Sequence, residues 1–169
     1  MTASQAKIWT LSSTGPTGPS GKRCNSWRWR KMAQIIADTS GFYALVDRND
    51  PHHAAAAAFL KSLQTPGTLL VSNHIFDEAM TLTKARLGVH TARQLGMRLR
   101  NSRLIEMVVV DGGEEAAAWR LFSNYSDKEW SYTDCICLAL AQNRGINQAF
   151  SFDHHFAQMG LRMIPTSYS

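Results

Sequence analysis

The sequence predicts a three-layer α/β/α domain with a central, mainly parallel sheet. Short apolar runs suited to buried strands alternate with longer helical patterns from residue 34 to residue 164. The stretches between those runs are too long for hairpins, so each strand is expected to return through a helix and pair in parallel. Four acids, Asp38, Glu78, Asp134 and Asp153, fall at or near the ends of apolar runs. In an open parallel sheet such positions gather on the rim formed by the carboxyl ends of the strands, where ligands bind.

Residues 34–37 are a short apolar run closed by Asp38 and predict the first strand; residues 40–46 predict a short helix. Asp50 followed by Pro51 has the form of an N-cap with proline at the first helical position, opening an alanine-rich helix over 52–63 that Pro66-Gly67 stops. Residues 68–72 predict the second strand. Asn73 is read as the cap of a helix to Leu87, with Gly88 as its stop and a further helix over 91–100. The valine-rich residues 104–110 predict a third strand, broken by Gly112-Gly113, with a helix over 114–125. Thr133 is read as the cap of a helix over 134–143, ended by Gly145. Residues 148–152 predict the fourth strand, 154–159 a short helix and 162–164 a last strand.

Six of the 18 Lys/Arg lie in residues 1–31 with none of the 13 Asp/Glu, so the remaining 12 basic residues face 13 acids. The net charge of +5 therefore belongs to the amino-terminal stretch and says little about a nucleic-acid face on the folded part. Gly15-Pro16-Thr17-Gly18-Pro19-Ser20-Gly21 breaks regular structure, and residues 1–31 are read as a disordered basic extension. Met32 stands directly before the first strand and is read as the start of translation. That leaves 32–169 as one domain of a length that suits a packed core, in a chain that is 44% hydrophobic. Three cysteines give no disulfide framework, which fits a reducing cytoplasm. No apolar run approaches the roughly 18 residues of a membrane helix.

Each acid has a bland reading beside a functional one. Asp38-Thr39-Ser40 offers a carboxylate and two hydroxyls to a hard cation, but an aspartate there also caps a helix. Asp77 and Glu78 fit the dipole of a helix amino terminus; Glu78, framed by Phe76, Ala79, Met80 and Leu82, is the better ligand, with Asp77 toward solvent. Asp134 opens the apolar run Cys135–Ala141 and is expected to be partly buried. Asp153 ends a strand in a crevice position. His154-His155 and His52-His53 read as surface or helix-flank residues, since zinc would want a spaced cluster with sulfur or more imidazoles. Gathered together, the acids repel by about 4 kcal/mol per pair at 4 Å and an effective dielectric near 20. A divalent cation removes that repulsion and supplies chemistry. With oxygen donors alone, Mg²⁺ or Mn²⁺ is favoured over zinc.

The order strand–Asp38-Thr39-Ser40, helix–Glu78, Tyr132-Thr133-Asp134-Cys135 opening a helix, then Phe150-Ser151-Phe152-Asp153 with Phe156 resembles the PIN domain, most closely ribonuclease toxins of the VapC type. The resemblance covers about residues 33–166. It implies a Mg²⁺- or Mn²⁺-dependent endoribonuclease leaving 5′-phosphate and 3′-hydroxyl ends. Asp38 and Asp134 would be the main metal ligands, Glu78 and Asp153 would complete the cluster, and Thr133 would support it by hydrogen bonding. It also implies an RNA substrate, a homodimer and an antitoxin partner. Arg48, Lys84, Arg86, Arg93, Arg98, Arg100 and Arg103 could hold phosphates. Two other readings stand beside it. A metal-dependent phosphatase of the aspartate-nucleophile kind would want a second aspartate where Ser40 stands. A silent RNA- or protein-binding regulatory domain would have no reason to keep four costly carboxylates.

Overall fold

The computed structural model describes residues 34–166. The extension at 1–31, the start at Met32 and Cys24 fall outside these residues. Five strands form one sheet: β1 (Ile35–Ala37), β2 (Leu69–Ser72), β3 (Ile105–Val108), β4 (Gln148–Phe150) and β5 (Arg162–Ile164). All neighbours pair in parallel, in the order β3-β2-β1-β4-β5. Six helices flank it: α1 (Thr39–Val46), α2 (His53–Ser62), α3 (Asn73–Asn101), α4 (Gly112–Asn124), α5 (Tyr132–Arg144) and α6 (His155–Gln158). The expected parallel α/β architecture is the one observed. The chain departs from β1 toward β2 on one side and places β4 on the other. The rim between β1 and β4 is thus the switch point where an open sheet leaves its crevice.

The central strands β1 and β2 are buried along their whole length, which is why they read as unbroken apolar runs rather than alternating ones. α1 packs against α2 and α3, and α4 against α5. Gly41 lets α1 lie directly on β4: a Cβ there would come within 2.7 Å of the Phe150 ring and 2.9 Å of its carbonyl. That close approach brings the start of α1, and Asp38 before it, onto the end of β4. Among the described residues no helix is long and apolar enough to cross a membrane.

Several boundaries differ from the sequence reading, each for a hydrogen-bonding reason. α2 begins one residue later than expected, after His52; the Asp50 carboxylate receives the His52 N–H in the preceding turn instead of capping the helix. Ser72, not Asn73, caps α3 by accepting the Ile75 N–H at 3.1 Å; Asn73 Oδ1 instead receives the Val110 N–H at 2.9 Å and ties the end of β3 to this helix. Gly88 does break α3, at φ +84°, but the helix resumes at once rather than at residue 91. Gly112-Gly113 form the first turn of α4, because Asp111 and Glu114 close a capping box around them.

Candidate active site

The site is built on the carboxyl ends of β1, β2 and β4 and the amino end of α5. Asp38 follows β1 directly and is 5% exposed. It caps α1, and its Oδ2 accepts three hydrogen bonds: from Ser40 N at 3.1 Å, Ser40 Oγ at 2.5 Å and Ser151 Oγ at 2.9 Å. Ser151 stands where the parallel register puts it, one residue beyond the Ala37–Phe150 pair. Its Oγ also accepts the Asp153 N–H at 2.9 Å, while Ser40 Oγ accepts the Phe152 N–H at 3.0 Å. Two serines thus stitch the end of β1 to the turn after β4. All three bonds meet on one oxygen of Asp38, and among the described residues none reaches Oδ1.

Asp134 is 7% exposed and occupies the third position of a capping box. Its Oδ2 accepts the Ser131 N–H at 2.8 Å, and its own N–H donates to Ser131 Oγ at 3.0 Å. Ser131 is therefore the cap of α5, not Thr133, which lies in the first turn near enough to Glu78 to lower its carboxyl pKa. Both hydroxyls were available; the Ser-x-x-acid spacing of Ser131 and Asp134 was the readable signal. Glu78, half-buried one turn into α3, accepts the Thr39 hydroxyl at 3.1 Å, and its neighbour Asp77 faces solvent. Asp153 is more open, 35% exposed at its side chain, and its Oδ1 accepts the His155 N–H at 2.9 Å at the start of α6.

The bland readings are therefore present: Asp38 and Asp134 do cap helices. Capping does not make either an ordinary surface acid. Burial pushes the Asp38 carboxyl up to about 6, overcoming the hydrogen bonds from Ser40 and Ser151 that pull it down, and the charge of Asp134 raises it further. Glu78 is raised by burial first, with Asp134 and Asp153 adding to it; Thr39 and Thr133 oppose the rise. Asp134 is raised by burial and by Asp153, against its bonds to Ser131 and the nearby His155. Each acid feels another, so the structure brings all four sequence-predicted residues into one electrostatic unit. No Lys or Arg lies within 4.0 Å of any of them among the described residues. Oxygen-rich, mutually repelling and without a Lys or Arg partner among the described residues, this donor set fits a hard divalent cation.

Sequence reasoning missed Ser151, Ser131 and His155. The His155 side chain is only 14% exposed, and its Nδ1 stands 3.4 Å from Asp153 Oδ1 and 3.8 Å from Asp134 Oδ2. It opens α6, so it does flank a helix, but it is not a surface residue; His154, at 75% exposure, is. The donor atoms of Asp153, His154 and His155 lie within 4.8 Å of one another. Cys135 and Cys137 are free and buried, as expected of small core residues. The seven candidate phosphate-binding Arg and Lys residues are exposed. Arg48 and Arg98, with His53, line a cavity of about 400 Å³ between α1, α2 and α3 that none of the four acids reaches.

A family model described as the PIN domain matches residues 35–161. The chain belongs to the PIN domain family. Within that family it is of the VapC type. It is 30% identical over 126 residues to the 23S rRNA-specific endonuclease VapC20 of Mycobacterium tuberculosis, an alignment spanning 75% of this chain and 94% of the relative. A VapC ribonuclease of Archaeoglobus fulgidus is 29% identical over 129 residues, 75% of this chain and 80% of the relative. The crystal structure of M. tuberculosis VapC20, described as a sarcin-ricin loop cleaving toxin, superposes with a TM-score of 0.70 at 28% identity. It covers 76% of this PIN domain chain and 96% of its own. FitAcB from Neisseria gonorrhoeae shares the fold at a TM-score of 0.58 and 18% identity, over 77% of this chain and 96% of its own.

Proposed function

We propose that this chain is a divalent-metal-dependent endoribonuclease and the toxin of a toxin–antitoxin pair. One observation carries the reading: four carboxylates share the rim of the sheet, three of them raised above their ordinary values, with no Lys or Arg ion pair among the described residues to compensate them. The naming of VapC20 and the A. fulgidus relative as ribonucleases supports RNA as the substrate class. A silent binding domain would gain stability by losing these charges, which counts against that alternative.

Asp38, Glu78, Asp134 and Asp153 would hold Mg²⁺ or Mn²⁺. When bound, such an ion supplies a nucleophilic water near neutral pH and offsets charge on the scissile phosphate. Ser40 and Ser151 fix Asp38 so that Oδ1 stays open. Thr39 and Thr133 fix Glu78, and Ser131 fixes Asp134. Exposed arginines elsewhere on the surface would position the RNA backbone without reading its sequence. The catalytic unit is residues 32–169, with 1–31 outside it. The family resemblance supports an antitoxin that blocks the rim and a homodimer in the cytoplasm. Exposed Val109, Trp119 and Phe122 on and beside the sheet edge offer a second copy apolar surface.

The test is direct. Purified protein is expected to cleave RNA with Mg²⁺ or Mn²⁺ and to stop when EDTA is added. Cleavage that persists in EDTA would remove the mechanism.

A further inference from the structure

We infer that His155 is a nitrogen ligand of the proposed metal centre, so that the site selects a first-row transition ion such as Mn²⁺ over Mg²⁺. The inference rests on the metal-site reading above and changes its donor set from oxygen alone to oxygen plus one imidazole. It starts from an unsatisfied atom. His155 Nδ1 is buried and has no hydrogen-bond partner. A buried polar nitrogen left in that state is expensive, and its surroundings normally explain it.

The surroundings here are two of the acids. Nδ1 lies 3.4 Å from Asp153 Oδ1 and 3.8 Å from Asp134 Oδ2, neither contact having hydrogen-bond geometry. Donors that share one ion at about 2.1 Å sit roughly 3.0 to 3.4 Å apart. The His155–Asp153 separation falls at the edge of that range, and the Asp134 oxygen, at 3.8 Å, lies just beyond it. With the ring proton on Nε2, the Nδ1 lone pair faces the two carboxylates.

Backbone geometry supports the same assignment. The Asp153 carboxylate accepts the His155 N–H, so the turn that orients Asp153 also orients the imidazole. His154 is one residue away on the same turn, but its side chain is largely in solvent. It can swing away from the site, whereas the His155 ring, largely buried, is held in place. Imidazole is a good donor to transition ions and a poor one to Mg²⁺, so a fixed nitrogen in the site discriminates between them.

The experiment uses the full chain, metal-stripped and then titrated with Mn²⁺ or Mg²⁺ alone. Calorimetry is expected to give Mn²⁺ binding at least about 10-fold tighter than Mg²⁺. Pulsed electron paramagnetic resonance on the Mn²⁺-loaded protein is expected to show coupling to a directly bound imidazole ¹⁴N. His155→Asn and His155→Gln should erase that coupling and weaken Mn²⁺ about 10-fold or more while leaving Mg²⁺ affinity within about twofold. His154→Asn should keep the coupling. Mn²⁺ bound by wild type without ¹⁴N coupling, or coupling that survives in both His155 variants, would overturn the assignment while leaving the carboxylate site standing. Binding of neither ion would overturn the metal site itself. The wild-type spectrum decides the question even if both His155 variants fold poorly.

Discussion

Asp38 and Asp153 follow neighbouring parallel strands, yet they sit in opposite environments. Asp38 comes directly after a central strand, is almost fully buried, and has one oxygen saturated by three hydrogen bonds. Asp153 comes three residues after β4 ends, is about one-third exposed, and accepts a backbone N–H at the start of a four-residue helix. The position beside Asp38 on the adjoining strand belongs to Ser151, which serves both acids at once. Two residues along the adjoining chain therefore separate a fixed, high-energy carboxylate from an adaptable one. The buried acid sets the character of the site, and the open one tunes it.

The sharpest way to break this comparison is to neutralise each acid in turn. Asp38→Asn is expected to lower RNA cleavage by at least about 1,000-fold, roughly 4 kcal/mol of barrier, with the circular dichroism spectrum unchanged. Asp153→Asn should lower it only about 10-fold, roughly 1.4 kcal/mol. Equal losses in single-turnover assays would show that the two acids are not ranked by burial.

Stability against pH tests the same point without catalysis. The folded Asp38 carboxyl, at about 6, is raised above its ordinary 3.8, so its contribution to stability is complete below about pH 4 and is lost as pH rises through 6. Glu78 and Asp134, also raised, act in the same direction. In metal-free protein the difference between wild type and Asp38→Asn is expected to grow across this window by on the order of 3 kcal/mol in favour of the variant. Saturating Mn²⁺ should reverse that preference. Parallel melting profiles for the two metal-free proteins would show that Asp38 ionises freely.

The smallest expected effect concerns the shared serine. Ser151→Ala removes a donor to Asp38 and the acceptor of the Asp153 N–H. It should weaken Mn²⁺ binding about 10-fold, as loss of an outer hydrogen bond to a ligand commonly does. Ser151→Thr keeps the hydroxyl and should recover most of the affinity. Failure of Thr to restore binding would point to packing rather than hydrogen bonding at this position.

Much of this arrangement is legible in the chain. Three of the acids sit at or near an element boundary and Glu78 lies one turn beyond one, and parallel topology sends such boundaries to one rim. The order of Asp38, Glu78, Asp134 and Asp153 against strands and helices was therefore enough to nominate them as site candidates. The supporting residues were less legible. Ser131 and Thr133 are both caps by residue type, and only the Ser-x-x-acid spacing to Asp134 favoured Ser131, which the backbone path bears out by closing the box. Asn73 looks like a cap because asparagine commonly is one, but β3 claims its side chain from 37 residues away. His154 and His155 are indistinguishable as adjacent letters, and which one faces inward depends on how a single short turn docks.

The sequence by itself determined the alternation of strands and helices and the parallel sheet, and it nominated the four acids. These follow from periodicity and from chain-local stops, which need no knowledge of distant contacts. Only the tertiary structure decided which hydroxyl holds which carboxylate, how deeply each acid is buried and which histidine joins them. Those outcomes depend on strand register and on side chains far apart in the chain, and the energy of a charge is set by what surrounds it in space.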